Sequence, residues 1–202
     1  MESTSRNVLQ ALRDDEAGST AQHERRKRII DATIALATKG GYDAVQMRTV
    51  AEKADVALGT LYRYFPSKVH LLVTGLAREF ERALDKMDRT KVTGETPYER
   101  VMFVLSRTTR SLQRNPQLTE AMTRAFMFAD TSAAAEVDTV AALAERFFTN
   151  AMTDGEPTDE EKAIARVITD VWLSNLVAWV TRRASASDVS NRLELTVRLL
   201  LA

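Results

Sequence analysis

The sequence predicts an all-α protein of about nine helices: a small N-terminal head of three, a connecting fourth, and a body of five. Three observations carry this expectation. Glycine (7) and proline (4) are scarce in 202 residues and fall at intervals that suit helix ends. Apolar residues recur at helical spacing, and no stretch sustains the strict alternation of a strand. Hydrophobic residues make up 45% of the chain, enough to build a proper core.

Taken in order, residues 1–21 are expected to form a flexible arm, with Val8, Leu9 and Leu12 sufficient for one short helical turn. Asp14, Asp15 and Glu16 lie in this stretch without a basic flank followed by an apolar block, so it does not read as a secretory signal. Residues 22–67 form the head. Its first helix is predicted over Gln22–Lys39, with Ile30, Ile34 and Ala37 on one face, and Gly40-Gly41 end it. A short helix follows over Met47–Ala54, then a tight connection through Asp55–Ala57 and a second short helix over Leu58–Phe65 that Pro66-Ser67 stops. Residues 68–202 form the body. Ser67 caps the connecting helix over 68–88, whose Leu71, Leu72, Leu76 and Phe80 face inward. Lys91–Thr96 reads as the linker, and helices are expected at about 98–114, 117–128, 132–152, 158–184 and 187–201. Asn115-Pro116, Asp154–Pro157 and Ser185–Ser187 are the breaks between them.

Composition narrows the chemistry. There are no cysteines and only two histidines, His23 and His70, so a disulfide framework, a thiolate zinc site, a cysteine nucleophile and a histidine-rich metal centre all lack material. His70 reads as an ordinary helix residue. No cofactor and no metal are expected. No uninterrupted apolar run approaches the roughly 20 residues that span a bilayer, which points to a soluble, cytoplasmic protein with no membrane partner. The formal net charge is zero, but its distribution is uneven: residues 21–70 carry nine Lys/Arg against five Asp/Glu, whereas residues 71–202 carry seventeen against nineteen. A locally basic head on a slightly acidic body suits a DNA-reading module.

Within the head, Val50, Ala51, Val56, Leu61 and Phe65 are spaced to form one buried seam. The second short helix then turns Leu58, Gly59, Thr60, Tyr62, Arg63 and Tyr64 outward, a set suited to a major groove. Arg63 suits a guanine edge or a phosphate. Thr60 and the tyrosine hydroxyls suit phosphates, and Gly59 allows close approach of the helix start. Arg48 and Lys68 flank this surface as phosphate clamps, and the run Arg25-Arg26-Lys27-Arg28 adds positive charge. On spacing alone the bland alternative stays open, since two short helices joined by a tight turn occur in many proteins without a DNA role.

Gly41-Tyr42, Val50-Ala51 and the run Val56-Ala57-Leu58-Gly59-Thr60-Leu61-Tyr62-Arg63-Tyr64-Phe65-Pro66-Ser67-Lys68 strongly resemble the DNA-binding head of the TetR family over about residues 24–70. The resemblance implies a helix-turn-helix that contacts double-stranded operator DNA through Arg48, Thr60, Tyr62, Arg63, Tyr64 and Lys68. It also implies a C-terminal domain for ligand binding and dimerisation. One departure is Gln46, where the family commonly places a Ser or Thr cap; glutamine caps poorly, so the helix after it is expected to start late or fray.

The two C-terminal helices are apolar on more than one side: Ile164, Val167, Ile168, Val171, Trp172, Leu176, Trp179 and Val180, then Val189, Leu193, Leu195, Val197 and Leu199–Leu201. Such helices need a second partner, and a homodimer supplies it. The body also holds a bulky, deformable set, Met102, Phe103, Leu105, Met122, Phe126, Met127, Phe128, Phe147, Phe148 and Met152. These residues, with Trp172, Leu176 and Trp179, are candidates for lining a site for a small hydrophobic effector. A stripe of this kind also reads as plain core.

Further segments narrow the resemblance. Arg114-Asn115-Pro116, Leu118–Phe126, Phe128-Ala129-Asp130, Asp170–Leu176, Ala178-Trp179 and Thr181–Ser185, together with Gln46-Met47-Arg48, are similar to a branch of this family, the cholesterol-catabolism repressors of actinobacteria. That similarity implies repression of sterol-uptake and ring-degradation genes, relieved by a coenzyme A thioester of an early sterol catabolite. Arg107, Arg110, Arg114, Arg124, Arg182 and Arg183 are the candidate cations for its phosphates. Three other readings stay open: a TetR-type regulator of a fatty-acyl or multidrug effector, an acyl-CoA enzyme using Asp159, Glu160 or Glu161, and a helical scaffold without DNA. No nucleophile or oxyanion arrangement supports the enzyme, and the tyrosine-rich basic helix speaks against the scaffold.

Overall fold

The computed structural model describes the backbone over residues 2–89 and 92–202 and the side chains over 20–87 and 92–202. Helix α1 spans Glu2–Ala44 and takes in the backbone of the stretch expected as an arm; side chains 1–19, including Val8, Leu9 and Leu12, lie outside the described residues. Its helical geometry breaks at Gly40 (φ −145°, ψ 17°) and Gly41 (φ 68°, ψ −160°), where the sequence predicts the end. The Gly41 conformation is open to glycine almost alone, and a Cβ there would also stand 3.2 Å from Glu120 Oε2. Helix α2 spans Met47–Ala54, beginning at the predicted Met47 without the late start expected from a Gln46 cap. Gln46 sits in the cap position with no side-chain bond, and Asp55 ends the helix in the left-handed region at φ 53°. Helix α3 spans Leu58–Tyr64 and α4 spans Lys68–Arg89. Ser67 caps α4 as predicted, its Oγ accepting from Val69 N–H at 3.2 Å.

The body contains α5 (Pro97–Arg114), α6 (Pro116–Met127), a 3-10 turn (Thr131–Ala133), α7 (Ala134–Met152), α8 (Asp159–Val180) and α9 (Ala186–Leu201). Proline opens α5 and α6, where its missing N–H would be unpaired in any case. Two expected boundaries are corrected. The helix predicted over 132–152 begins as the 3-10 turn, fixed by Asp130 accepting from Ser132 N–H at 2.9 Å. The helix predicted over 158–184 ends at Val180, because Arg182 takes a left-handed φ of 59° and the N–H groups of Arg183 and Ala184 turn back to the Ala178 carbonyl at 2.7 and 3.1 Å. Helix α8 is also long and apolar enough, by length and composition, to cross a membrane, although polar and charged residues interrupt its apolar run. Its Ala165, Ile168, Trp172 and Leu176 are buried within the body.

Two cores hold the chain together. The first joins the head to the start of α4 and to α6 around Ile29, Val50, Leu61, Phe65, Leu71 and Leu72. The second joins the end of α4 to α5, α7, α8 and α9 around Leu105, Phe148, Ile168, Trp172, Val189 and Val197. Helix α4 runs through both, and Phe80 packs against each. Helix α4 is thus shared between the core of the head and the core of the body.

Candidate functional site

The predicted seam of the head is sealed: Val50, Leu61 and Phe65 are buried, Ala51 nearly so, and Val56 packs against them. With that face committed, α3 presents Leu58, Gly59, Tyr62 and Arg63 to solvent, while Thr60 and Tyr64 are half-buried. A Cβ on Gly59 would meet nothing within 4 Å, so this helix start stands open. Tyr64 is partly engaged within the head, lying 3.5 Å from Arg25 Nη1 and beneath the Arg63 guanidinium. Arg48 is exposed and pairs loosely with Glu52 at 3.6 Å. Lys68 rests its ammonium 3.8 Å from the Tyr42 ring centroid, so reaching a phosphate requires it to leave that ring.

The body encloses a cavity of about 630 Å³, within the range of small-molecule sites. Of the residues expected to line it, Phe103, Met122, Phe126, Phe147, Trp172 and Leu176 do. Met102, Leu105, Phe148, Met152 and Trp179 do not, nor do Met127 and Phe128, which are exposed. Leu105, Phe148 and Met152 are closed into the second core, with Met102 packed against it, while Trp179 borders a shallow depression at the α8–α9 turn. Phe80, Phe147, Phe148 and Trp172 meet edge to face at centroid distances of 5.3–6.3 Å, and Trp172 Nε1 donates to Thr109 Oγ1 at 3.1 Å.

Exposed cations rim the cavity: Arg82, which pairs with Glu79 at 2.7 Å, and Lys86 from α4, Arg107 and Arg114 from α5. Arg107 and Arg114 were among the expected arginines; Arg82 and Lys86 were missed, although their four-residue spacing puts them on one flank of α4. Arg110 instead donates to the Ser106 carbonyl, Arg124 lies against the head, and Arg182 and Arg183 sit at the α8–α9 turn. Glu79 and Asp170 supply the acids among the lining residues.

Helix α6 has two working faces. One lines the cavity with Thr119, Met122, Thr123 and Phe126. The other grips the broken end of α1. Gln117, with its amide turned to donate, reaches the carbonyls of Thr38 and Lys39 at 2.8 and 2.7 Å. Glu120 accepts from Tyr42 N–H at 3.2 Å. Arg124 lies 3.6 Å from both Asp43 and Glu120 and stacks on the Tyr42 ring. A second tie joins α1 to α4, where Arg78 bonds Asp31 at 2.8 Å.

His70 makes the third. Buried where a helix-surface or half-buried position was expected, it spans from Ser67 Oγ to the Ser132 carbonyl, each at 3.0 Å. Beside it, the Asp130 carboxyl is held below the ordinary aspartate value by the Ser132 hydroxyl and then by its N–H. These junction residues escaped sequence reasoning because a polar residue on a helix gives no sign of which neighbour it will meet.

Comparison with known proteins gives a consistent result. Residues 29–74 match the family model of bacterial regulatory proteins of the tetR family, and residues 94–200 match the tetracyclin repressor-like C-terminal domain. The chain is 66% identical to the HTH-type transcriptional repressor KstR of Mycolicibacterium smegmatis over 190 residues, covering 94% of this chain and 93% of that protein. Against the KstR repressor of Rhodococcus jostii the identity is 68% over 190 residues, covering 94% and 89%. The crystal structure of a TetR transcriptional regulator from Rhodococcus sp. RHA1 superposes with a TM-score of 0.83 at 32% identity, over 90% of this chain and 98% of that one.

Proposed function

Since the chain belongs to the TetR family and is a transcriptional repressor rather than an enzyme, we propose that it represses genes of sterol catabolism as an operator-bound homodimer and is released by a sterol-derived coenzyme A thioester. The observation that carries this reading is the cavity itself: apolar and aromatic inside, rimmed by Arg82, Lys86, Arg107 and Arg114, and walled by the helix that grips the head. Apolar walls suit a sterol nucleus, and guanidinium groups at the rim suit phosphates. The reading of α3 rests on Leu58, Gly59, Thr60, Tyr62, Arg63 and Tyr64, with Arg48 and Lys68 on the flanking phosphates. A dimer is supported by α8 and α9, which bury Ile168, Trp172, Val189 and Val197 inward yet leave Val167, Leu195 and Leu199 exposed. A cytoplasmic location follows from the work of reading DNA.

In this mechanism the effector displaces α6 and α4, and the head follows through Gln117, Glu120, Arg124, Asp31 and His70. The spacing of the two recognition helices then no longer fits adjacent major-groove faces. A hundredfold release requires about 2.8 kcal/mol of preference for the non-binding conformation. Fluorescence anisotropy on DNA from upstream of the protein's own gene, with unrelated DNA in excess, tests the reading. Operator binding is expected to survive the competitor and to fall on adding the thioester, with the free sterol acid much less effective. Equal release by the free acid would remove the role of the rim cations, and release by a fatty-acyl thioester alone would replace the sterol.

A further inference from the structure

Several threonines on the helices of this chain fold the hydroxyl back onto the carbonyl four residues earlier. Thr33 donates to Ile29 at 2.9 Å, Thr149 to Glu145 at 3.0 Å, and Thr169 to Ala165 at 2.8 Å. Thr119, which also lines the cavity, donates to the Leu112 carbonyl at 2.8 Å. Thr123 makes no such bond. It sits one turn further along α6, is only 5% exposed, and lines the cavity among Met122, Phe126, Val140 and Phe147. Yet its hydroxyl makes no hydrogen bond among the described residues. It is not among the polar atoms sealed away from all space either, so it opens onto the cavity.

A hydroxyl set in an apolar wall without a partner is unfavourable unless the occupant bonds it. We infer that Thr123 is a specificity-determining residue that hydrogen-bonds an oxygen on the ring system of the effector, so that the cavity prefers an oxygenated polycycle to a hydrocarbon of the same shape. A threonine hydroxyl donates to a ring ketone or accepts from a ring hydroxyl. The inference rests on the effector reading above and adds to it a requirement on the effector's ring chemistry. It also puts recognition on the helix that holds Tyr42, so the contact that identifies the ligand lies on the element that moves the head.

The test uses two coenzyme A thioesters of the same steroid side-chain acid, one with a ring ketone and one with that carbon reduced to methylene. Calorimetry on the full-length protein is expected to show a preference of about fivefold for the ketone. Thr123→Val, which keeps the shape, abolishes the preference, and Thr123→Ser retains it. Operator affinity without ligand is the same in all three proteins. A preference that survives in Thr123→Val, disappears in Thr123→Ser, or is absent from the unsubstituted protein overturns the inference while leaving the effector reading intact. Failure of both thioesters to bind the unsubstituted protein overturns the two together.

Discussion

In the body, α5, α8 and α9 each begin with a reciprocal cap. The hydroxyls of Thr96, Thr158 and Ser185 accept from the N–H groups of Glu99, Glu161 and Asp188, whose carboxylates accept from the cap residue in return. In the head, α2 begins after Gln46 and α3 after Ala57, and neither cap side chain bonds anything. Helices of eight and seven residues are too short to persist on propensity alone, so the order of the head rests on the seam of Val50, Leu61 and Phe65. Those three body helices are locally self-sufficient at their starts, whereas α6 and α7, after Asn115 and Ala133, begin without a side-chain cap. The head leaves the N–H groups at its helix starts available to an outside acceptor and relies on packing for its shape.

The largest test of that contrast is Phe65→Ala. Removing a fully buried ring is expected to destabilise the head by about 3–5 kcal/mol and to abolish operator binding, while ligand calorimetry still reports an intact cavity. Simultaneous loss of ligand binding would show head and body folding as one unit. Next come Tyr62→Ala and Arg63→Ala, each expected to weaken operator binding by about 1–3 kcal/mol without moving the melting temperature, because both side chains are exposed.

Cap exchanges follow at about 1 kcal/mol. Thr158→Ala should lower the unfolding free energy by that amount and leave DNA affinity alone. Gln46→Ser should raise it, and anisotropy would show whether satisfying the α2 N-terminus weakens the operator complex. The smallest effect belongs to acid titration of α9. The Ser185 hydroxyl and then its N–H hold Asp188 below the ordinary aspartate value. Its stabilising contribution is therefore complete above the unfolded carboxylate's pKa and is lost as pH falls through the lower folded one. Asp188→Asn should flatten that part of the stability profile.

The same contrast explains what the sequence made legible. Gly40-Gly41, Pro66-Ser67 and Asn115-Pro116 punctuate the chain with residues whose backbone chemistry has few outcomes, so α2 and the start of α4 fall where predicted. The end of α8 was not visible, because Arg182 adopts a left-handed turn that glycine would normally announce. Cavity residues divided along a similar line. Phe147 and Phe148 are adjacent and about 100° apart on a helix, so one faces the cavity and the other the core behind it. Where body helices are apolar on several faces, composition identifies the material of a cavity but not its walls. The cations divided too: Arg107 and Arg114 reach the rim, whereas Arg124, equally basic in the sequence, is spent on Tyr42 and Asp43.

The placement of Trp172 gives the protein a built-in optical reporter. One of only two tryptophans, it is 3% exposed, bonded through its indole N–H to Thr109, and set edge-on to Phe80 and Phe148 in the cavity wall. An indole in so dry a setting emits toward the blue, and an occupant of the cavity touches its ring. Trp179 lies outside that wall and acts as an internal reference in the same spectrum. On the effector reading proposed above, arrival of the ligand is expected to change the emission of the unlabelled protein, on the timescale of binding itself and without DNA present.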